Sequence, residues 1–271
     1  MPDRLRFVTH AGQKGARRFA ACVLAAAVAL PAGAYAQDGG DDRWTFTPMY
    51  TYGDIHDRSD NWNEVELDLA FKASDRVVLG ANAHHRERGP FDDTMYTASI
   101  STYPADVLEW HASATFTPDA EFSPERRFAT GVEWRASPKV SLLLDYRHQT
   151  FAWGTARDWR PGAIVWFSED SWLTARYTSG RGFGTDYDGY SLRYDHRFSG
   201  NRRLSLGYAN GTDPEIDPTL PNVFLTEADY YTAFYRFPVR NRVDLILGLE
   251  HEDRSPYYQR TAATVGVSVK F

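Results

Sequence analysis

Apolar and polar residues alternate along most of this chain, a period of two that is typical of strands with two different faces. The segment 62–72 is the clearest case, because every second residue is apolar and the residues between are charged. Its two faces are Val65, Leu67, Leu69 and Phe71 against Glu64, Glu66, Asp68 and Lys72. The pattern predicts an all-β fold.

The last strand ends with the chain itself. Val265, Val267, Val269 and the terminal Phe271 alternate with small or polar residues. This segment resembles the closing strand of bacterial outer-membrane β-barrels, in which a terminal Phe is the assembly signal. The resemblance implies that Phe271 is read by the barrel-assembly machinery.

Turn residues divide the remainder into about fourteen strands, with twelve as the alternative because Pro48 and Pro161 weaken the first and eighth. The predicted connections alternate between short turns and longer loops. The longer ones are 54–61, 87–93, 117–125, 153–158, 180–186, 211–224 and 251–256. Such alternation predicts a transmembrane up-and-down antiparallel barrel over residues 44–271, with short turns on the periplasmic side.

Tryptophans add to this picture. All eight fall near predicted strand ends, where indole rings favour the two headgroup layers of a membrane. We therefore expect two aromatic girdles, although tryptophans also flank turns in soluble proteins.

Residues 1–36 read as a cleaved secretory leader. A basic segment precedes a short apolar run, and Ala34-Tyr-Ala36 is a small-x-small cleavage pattern. Cleavage is expected between Ala36 and Gln37, leaving 37–43 as a short periplasmic lead. The only cysteine, Cys22, lies in the leader, so the mature chain offers neither a disulfide nor a thiolate.

Charge and hydropathy exclude two classes of protein. Without the leader's five basic residues and one acid, 25 Lys and Arg oppose 35 Asp and Glu, a formal charge of −10. Nucleic acid is therefore not an expected partner. A mean hydropathy of −0.51 excludes a helical membrane protein but not a barrel, whose two faces average out.

Several motifs in order resemble the YaiO-type outer-membrane β-barrel family. They are Trp62, Arg88-Gly-Pro-Phe-Asp-Asp93, Tyr103-Pro104, Phe122-Ser-Pro-Glu-Arg-Arg-Phe128, Leu144-Asp-Tyr-Arg-His148, Tyr190-Ser-Leu-Arg-Tyr194, Leu206-Gly-Tyr208 and Gly211. The resemblance spans about 44–271. It implies a barrel in the outer membrane of a Gram-negative bacterium, and it brings no settled activity.

One face of the predicted barrel collects charges of both signs. The candidate lumen-lining residues are Glu64, Glu66, Asp68, Glu109, Glu133, Arg135, Asp145, Arg147, Arg176, Arg193, Asp195, Arg197 and Asp244. Two interpretations remain open. In the first, ion pairs between these residues close the lumen of a structural or assembly barrel. In the second, which we favour, they line a channel for polar solutes or saccharides.

Enzymatic activity would require a histidine base near a nucleophile. His84, His85, His148 and His251 lie near predicted outer strand ends and could converge, but no nucleophile motif accompanies them. A barrel hydrolase is the least favoured hypothesis, and we expect no cofactor or metal. The expected partners are outer-membrane lipid and lipopolysaccharide, and nothing in the sequence sets the number of subunits.

Overall fold

The structure is a computed structural model that describes residues 42–56, 61–214 and 225–271. The predicted leader 1–36, its cleavage site and residues 37–41 of the lead lie outside the described residues. Within the described ranges, no helix is long and apolar enough to cross a membrane.

Fourteen β-strands account for most of the described chain. In chain order they are β1 (Trp44–Ile55), β2 (Asn61–Ser74), β3 (Val77–Arg88), β4 (Phe91–Ala105), β5 (Leu108–Phe116), β6 (Arg126–Ser137), β7 (Val140–Phe151), β8 (Gly154–Ser168), β9 (Ser171–Gly182), β10 (Thr185–Phe198), β11 (Arg202–Pro214), β12 (Leu225–Arg240), β13 (Val243–Arg254) and β14 (Tyr258–Lys270).

The strands form one closed antiparallel barrel in which each strand pairs with its neighbours in sequence. β14 pairs with β1 along nearly its whole length, from Lys270 opposite Thr45 to Arg260 opposite Ile55. Beyond the last paired strand residue, Trp44 and Phe271 exchange two backbone hydrogen bonds of 2.8 and 2.9 Å. The predicted up-and-down barrel and its count of fourteen are confirmed.

Alternation along the strands gives the barrel an outward face and an inward face of different composition. The outward side chains are mostly apolar or aromatic and exposed, as at Leu67, Leu142, Leu144 and Leu247. These side chains would meet lipid, while polar residues between them turn inward and are more buried. Among the described residues, buried apolar side chains form four small clusters and not one central core, so the barrel relies on its backbone ladder and its apolar exterior.

The predicted connection lengths are partly wrong. Predicted loops 87–93, 153–158 and 180–186 are two-residue turns, and 251–256 shrinks to three residues, because the flanking strands continue further outward. Positive φ angles at Gly89 (60°), Phe183 (52°) and Gly184 (86°) permit two of these tight reversals. Residues 117–125 do form a longer connection, and parts of two others lie outside the described residues.

The expectation of two complete tryptophan girdles is also partly wrong. Trp44, Trp110, Trp134, Trp153 and Trp159 are exposed, as girdle residues would be. Trp62 and Trp172 are instead buried, and Trp166 packs against Trp172 with ring centroids 4.8 Å apart. An indole near a strand end can fill the mouth of the lumen as readily as it can meet lipid.

Candidate functional site in the barrel lumen

The inward face is identified by contacts between strands that are not neighbours. Arg176 on β9 lies with its Nε 3.1 Å from Asp145 Oδ2 on β7. Arg260 on β14 places Nη2 3.0 Å from Glu64 Oε1 on β2. Side chains separated by a whole strand meet only on the concave side of a sheet, so these residues and those in step with them face the lumen.

Strand alternation puts all the candidate lumen-lining residues on this inward face. Glu66 and Asp68 bind Asn82, Arg147 binds Asp158, and Asp244 binds Arg236. Arg135 has the inward parity but is exposed, because it lies near the periplasmic end of β6. The remaining candidates are Glu64, Glu109, Glu133, Asp145, Arg176, Arg193, Asp195 and Arg197.

The outer part of the lumen, beside β12, β13 and β14, is filled by a charged network around Glu252. This carboxylate accepts hydrogen bonds from Tyr230 (2.9 Å), Tyr258 (2.7 Å) and Arg254. Arg260 connects it to Glu64, at 3.7 Å from Glu252 and 3.0 Å from Glu64. Because every member except the half-buried Tyr230 is almost entirely buried, the network closes this side to water.

A stacked arginine lies next to that network. The guanidinium of Arg88 is 4.1 Å from the ring centroid of Trp62 and 4.7 Å from that of Phe122. Arg88 thus lies between two aromatic faces, an arrangement in which a desolvated cation is stabilised by the ring quadrupoles. The stack joins β2 and β3 to the connection after β5.

That connection, which we call the inward segment (residues 117–125), folds into the outer mouth. Asp93 on β4 accepts hydrogen bonds from the backbone N–H groups of Glu121 (2.7 Å), Phe122 (3.1 Å) and Ser123 (2.6 Å). Phe122 is only 2% exposed. A carboxylate that accepts three backbone bonds fixes the segment strongly, and Phe122 narrows the opening.

A second buried carboxylate, Asp158, organises the outer half of β7 to β10. It is contacted by Arg147 Nε at 2.9 Å, Arg160 Nε at 2.7 Å and the Tyr187 hydroxyl at 2.8 Å. Tyr187 in turn packs with Phe151 and Ala156. This wall is therefore braced by one central acid and two arginines.

Asp195 has the same role near the periplasmic end. It is fully buried and is contacted by Arg193 Nε and Arg203 Nη2, both at 2.8 Å. Arg203 and Arg197 also lie 5.0 and 5.2 Å from the ring centroid of Trp172. Arginines on this wall are thus held by both an acid and an aromatic face.

Near the middle of the barrel, Asp145 joins three strands. It is 2.9 Å from His111 Nε2 and 3.1 Å from Arg176 Nε. Gly131 lies opposite Asp145, where a Cβ would come within 2.1 Å of the carboxylate and 2.7 Å of His111 Nε2. A glycine is required there because the bridge passes directly over the β6 backbone.

The wall formed by β4, β5 and β6 is different. Apart from His111, which crosses to Asp145, its inward side chains at the middle of the barrel are short: Thr97, Ser99, Ser113 and Ala129. Ser99 points inward, since a Cβ on its partner Gly80 would meet the Ser99 hydroxyl, yet Ser99 is exposed to solvent. Open space therefore borders this wall. At its periplasmic end Glu109 and Glu133 lie directly opposite each other on β5 and β6.

The predicted histidine cluster does not form. His84 faces inward and lies 3.0 Å from Glu64 Oε2, whereas His85, His148 and His251 lie on outward positions of different strands. The possibility that these four converge at the mouth is wrong, because a shift of one residue along a strand reverses the face.

The sequence analysis missed several central residues of the site. Asp93, Asp158, Glu252, Arg254 and Arg88 all lie beyond the strand ends predicted there. Four of them had a signal in the sequence, since Arg88, Asp158, Glu252 and Arg254 each continue a period-two pattern of charged inward positions, whereas the inward neighbours of Asp93 on β4 are uncharged. Acids of the predicted loop 211–224 that could bind cations bridging lipopolysaccharide, Asp213, Glu215 and Asp217, fall where no side chain is described.

Comparison with known proteins relates the chain by fold alone. No family model matches it, and no curated protein is significantly similar in sequence. The solved CymD monoaromatic hydrocarbon channel is similar with a TM-score of 0.59 at 10% identity, covering 85% of this chain and 89% of that one. The fold is that of outer-membrane β-barrels.

Two further structures support this assignment. The toluene transporter TbuX of Ralstonia pickettii has a TM-score of 0.58 at 9% identity, covering 86% of this chain and 90% of its own. The translocator domain of the autotransporter NalP of Neisseria meningitidis has a TM-score of 0.52 at 9% identity, with coverages of 88% and 92%. These likenesses, all at 10% identity or below, establish the barrel fold.

Proposed function

We propose that the barrel is a channel for small polar solutes, saccharides included, and that the route follows the β4 to β6 wall. The observation that carries this proposal is the exposure of Ser99, an inward side chain at the middle of the barrel. Short hydroxyl side chains on one side and the Asp145 bridge on the other would give a passing solute hydrogen-bond partners of both kinds.

Two features limit what this route could pass. Phe122 narrows its outer end, which favours small solutes. The ion pairs of Asp145 and Asp158 leave little net charge on the adjoining wall of β7 to β9, so charge on the route is concentrated at its periplasmic end, on Glu109 and Glu133. Two of the structural neighbours, CymD and TbuX, are named as transporting hydrocarbons. An inward face this rich in charge does not favour the same cargo here.

The competing proposal is a structural or assembly barrel with a closed lumen. It is supported by the dense burial around Glu252 and Asp195, which together close two parts of the interior. A hydrolase is not favoured, since His148 and His251 face outward and His84 is bound to Glu64.

Cysteine accessibility tests the channel proposal. In a Cys22→Ser background the chain has no other thiol, so Ser99→Cys would introduce a single reporter. A membrane-impermeant cationic thiosulfonate added to a planar bilayer should lower the conductance of this variant stepwise. Ala98→Cys, on the outward face, and Ser268→Cys, which is 0% exposed, are the matched controls and should not respond.

The outcomes separate the two proposals. Conductance that falls only in the Ser99→Cys variant supports a route along β4 to β6. Absence of conductance in the intact protein, together with an unreactive thiol at residue 99, would replace the channel by the closed structural barrel.

We also propose that Phe271 is the residue recognised by the barrel-assembly machinery, and that the chain belongs to the YaiO-type family. Phe271 is exposed and has the outward parity of β14. Deleting Phe271 should reduce the amount of heat-modifiable barrel in outer-membrane fractions, and an undiminished amount would remove this role.

A further inference from the structure

The outer surface of the barrel carries a set of arginines that the channel does not use. Arg157 on β8 faces outward, and its two cross-strand partners are both basic residues, His148 on β7 and Arg181 on β9. Like charges directly opposite each other in a sheet destabilise it. The charge of Arg181 is partly balanced by Asp186, at 3.7 Å. Arg157, between His148 and Arg181, therefore carries most of the unbalanced positive charge of the row.

A tilted aromatic pair, the exposed Trp159 and the half-buried Tyr146, fixes the depth of this row. Tyr146 and Trp159, the outward residues one step nearer the periplasm on β7 and β8, have ring centroids 4.7 Å apart. Exposed aromatic pairs of this kind mark the boundary between hydrocarbon and headgroups. Arg157 therefore lies at the headgroup level of the outer leaflet.

Beside the row lies an apolar groove. It is about 490 Å³ in volume and is bordered by Phe116 and Phe128, with Ala114 between them and with Arg126, His148 and Thr150 at its outer end. Both phenylalanines are about half exposed. The groove runs along the outside of β5 and β6, where only lipid can reach it.

Barrel tilt brings Arg126 level with Arg157. Rows of paired residues climb outward from β5 to β9, since the strands are tilted. Arg126 stands one row further out than Phe128, which compensates for its position two strands before Arg157, with β7 between them. Arg126 thus borders the headgroup end of the groove, and Arg157 lies level with it, beside His148, which also lines the groove.

We propose that this surface binds lipopolysaccharide, with Arg126 and Arg157 on a phosphate of its lipid A and an acyl chain in the groove between Phe116 and Phe128. The guanidinium fork matches the geometry of phosphate oxygens, and a phosphate would relieve the repulsion between Arg157 and Arg181. The site needs a ligand with a phosphate and an acyl chain in one molecule. In the outer leaflet that ligand is lipopolysaccharide.

Binding of fluorescent diphosphoryl lipid A to the detergent-solubilised full chain tests the proposal. The Arg126→Ala/Arg157→Ala variant should bind roughly thirtyfold more weakly, because each arginine near an anionic headgroup contributes about 1 kcal/mol. The matched control is Arg202→Ala/Arg240→Ala, which removes two exposed arginines at the periplasmic end and should bind like the unaltered protein. A heat-modifiable gel shift confirms that each variant is folded.

Two comparisons decide the source of the phosphate and the role of the groove. Phosphatidylglycerol should bind the unaltered protein weakly and lose little affinity in the double variant, and Ala114→Trp should weaken lipid A binding by filling the groove. Equal losses for the two arginine pairs, equal losses for the two lipids, or no effect of Ala114→Trp would each overturn the assignment.

Discussion

The two sides of the lumen differ in the length of their inward side chains, and that difference determines which side is closed. Beside β12 to β14, long side chains such as Arg254, Arg260 and Glu252 reach one another and exclude water. On β4 to β6, Ser99 and Ser113 are too short to reach across. A barrel of this size is therefore closed only where arginines and acids cross it.

Removing the central acid of the closed side should give the largest effect. Glu252→Ala leaves Arg254 and Arg260 buried without this carboxylate, and breaking such a pair typically costs about 3–5 kcal/mol. Urea unfolding in detergent, followed by tryptophan fluorescence, measures the free energy of unfolding. Asp75→Ala, in an exposed periplasmic turn, is the control. A loss no greater than in this control would mean that the network does not stabilise the closed side.

An arginine placed either on the outward face of β7 or on the inward face of β5 tests the assignment of the two faces and the open space beside β4 to β6. Leu142→Arg puts a charge among lipid tails and should cost about 2–4 kcal/mol of barrel stability. Ser113→Arg should cost much less, since its guanidinium can reach water in the lumen, but it should lower conductance. Gel mobility before and after heating reports the first effect and bilayer recording the second. Equal destabilisation would contradict the assignment of the two faces.

Releasing the inward segment should have the smallest effect on stability and a visible effect on conductance. Asp93→Ala leaves the backbone N–H groups of Glu121, Phe122 and Ser123 without their acceptor, at a cost of about 1–3 kcal/mol for each group that stays buried, so the loss of stability is small only because the segment can move out and let water reach them. We expect the segment to move outward and conductance to rise. Asp92→Ala, the exposed neighbouring acid, is the control. Unchanged conductance would show that Phe122 does not narrow the route.

The number of strands and their two faces were predictable because the period-two pattern is a local property of the sequence. In β2, Glu64 and Leu67 fall on the inward and outward faces that their neighbours require. Backbone pairing in a closed barrel then leaves each segment only one position, between its neighbours in sequence.

The outer strand ends were not predictable in the same way. Gly89 and Gly184 each occur in turns of two residues, although the same residue types also occur in long loops. Because the predicted strands ended too early, Asp93, Asp158 and Glu252 were assigned to loops and not to the inward face. The position of Phe122 depends on Arg88 and Trp62, which are distant in sequence, so no local pattern indicates it.

The seam between Trp44 and Phe271 has a consequence for the order of folding. Because its backbone bonds join two strands that are far apart in sequence, the ring cannot be completed until β14 has paired with β1. Until then β1 and β14 both present open edges, which pair readily with other chains. Pairing across such a sequence separation is also slow. During transit through the periplasm, the open edges of β1 and β14 must therefore be kept from pairing with other chains until the two strands pair with each other.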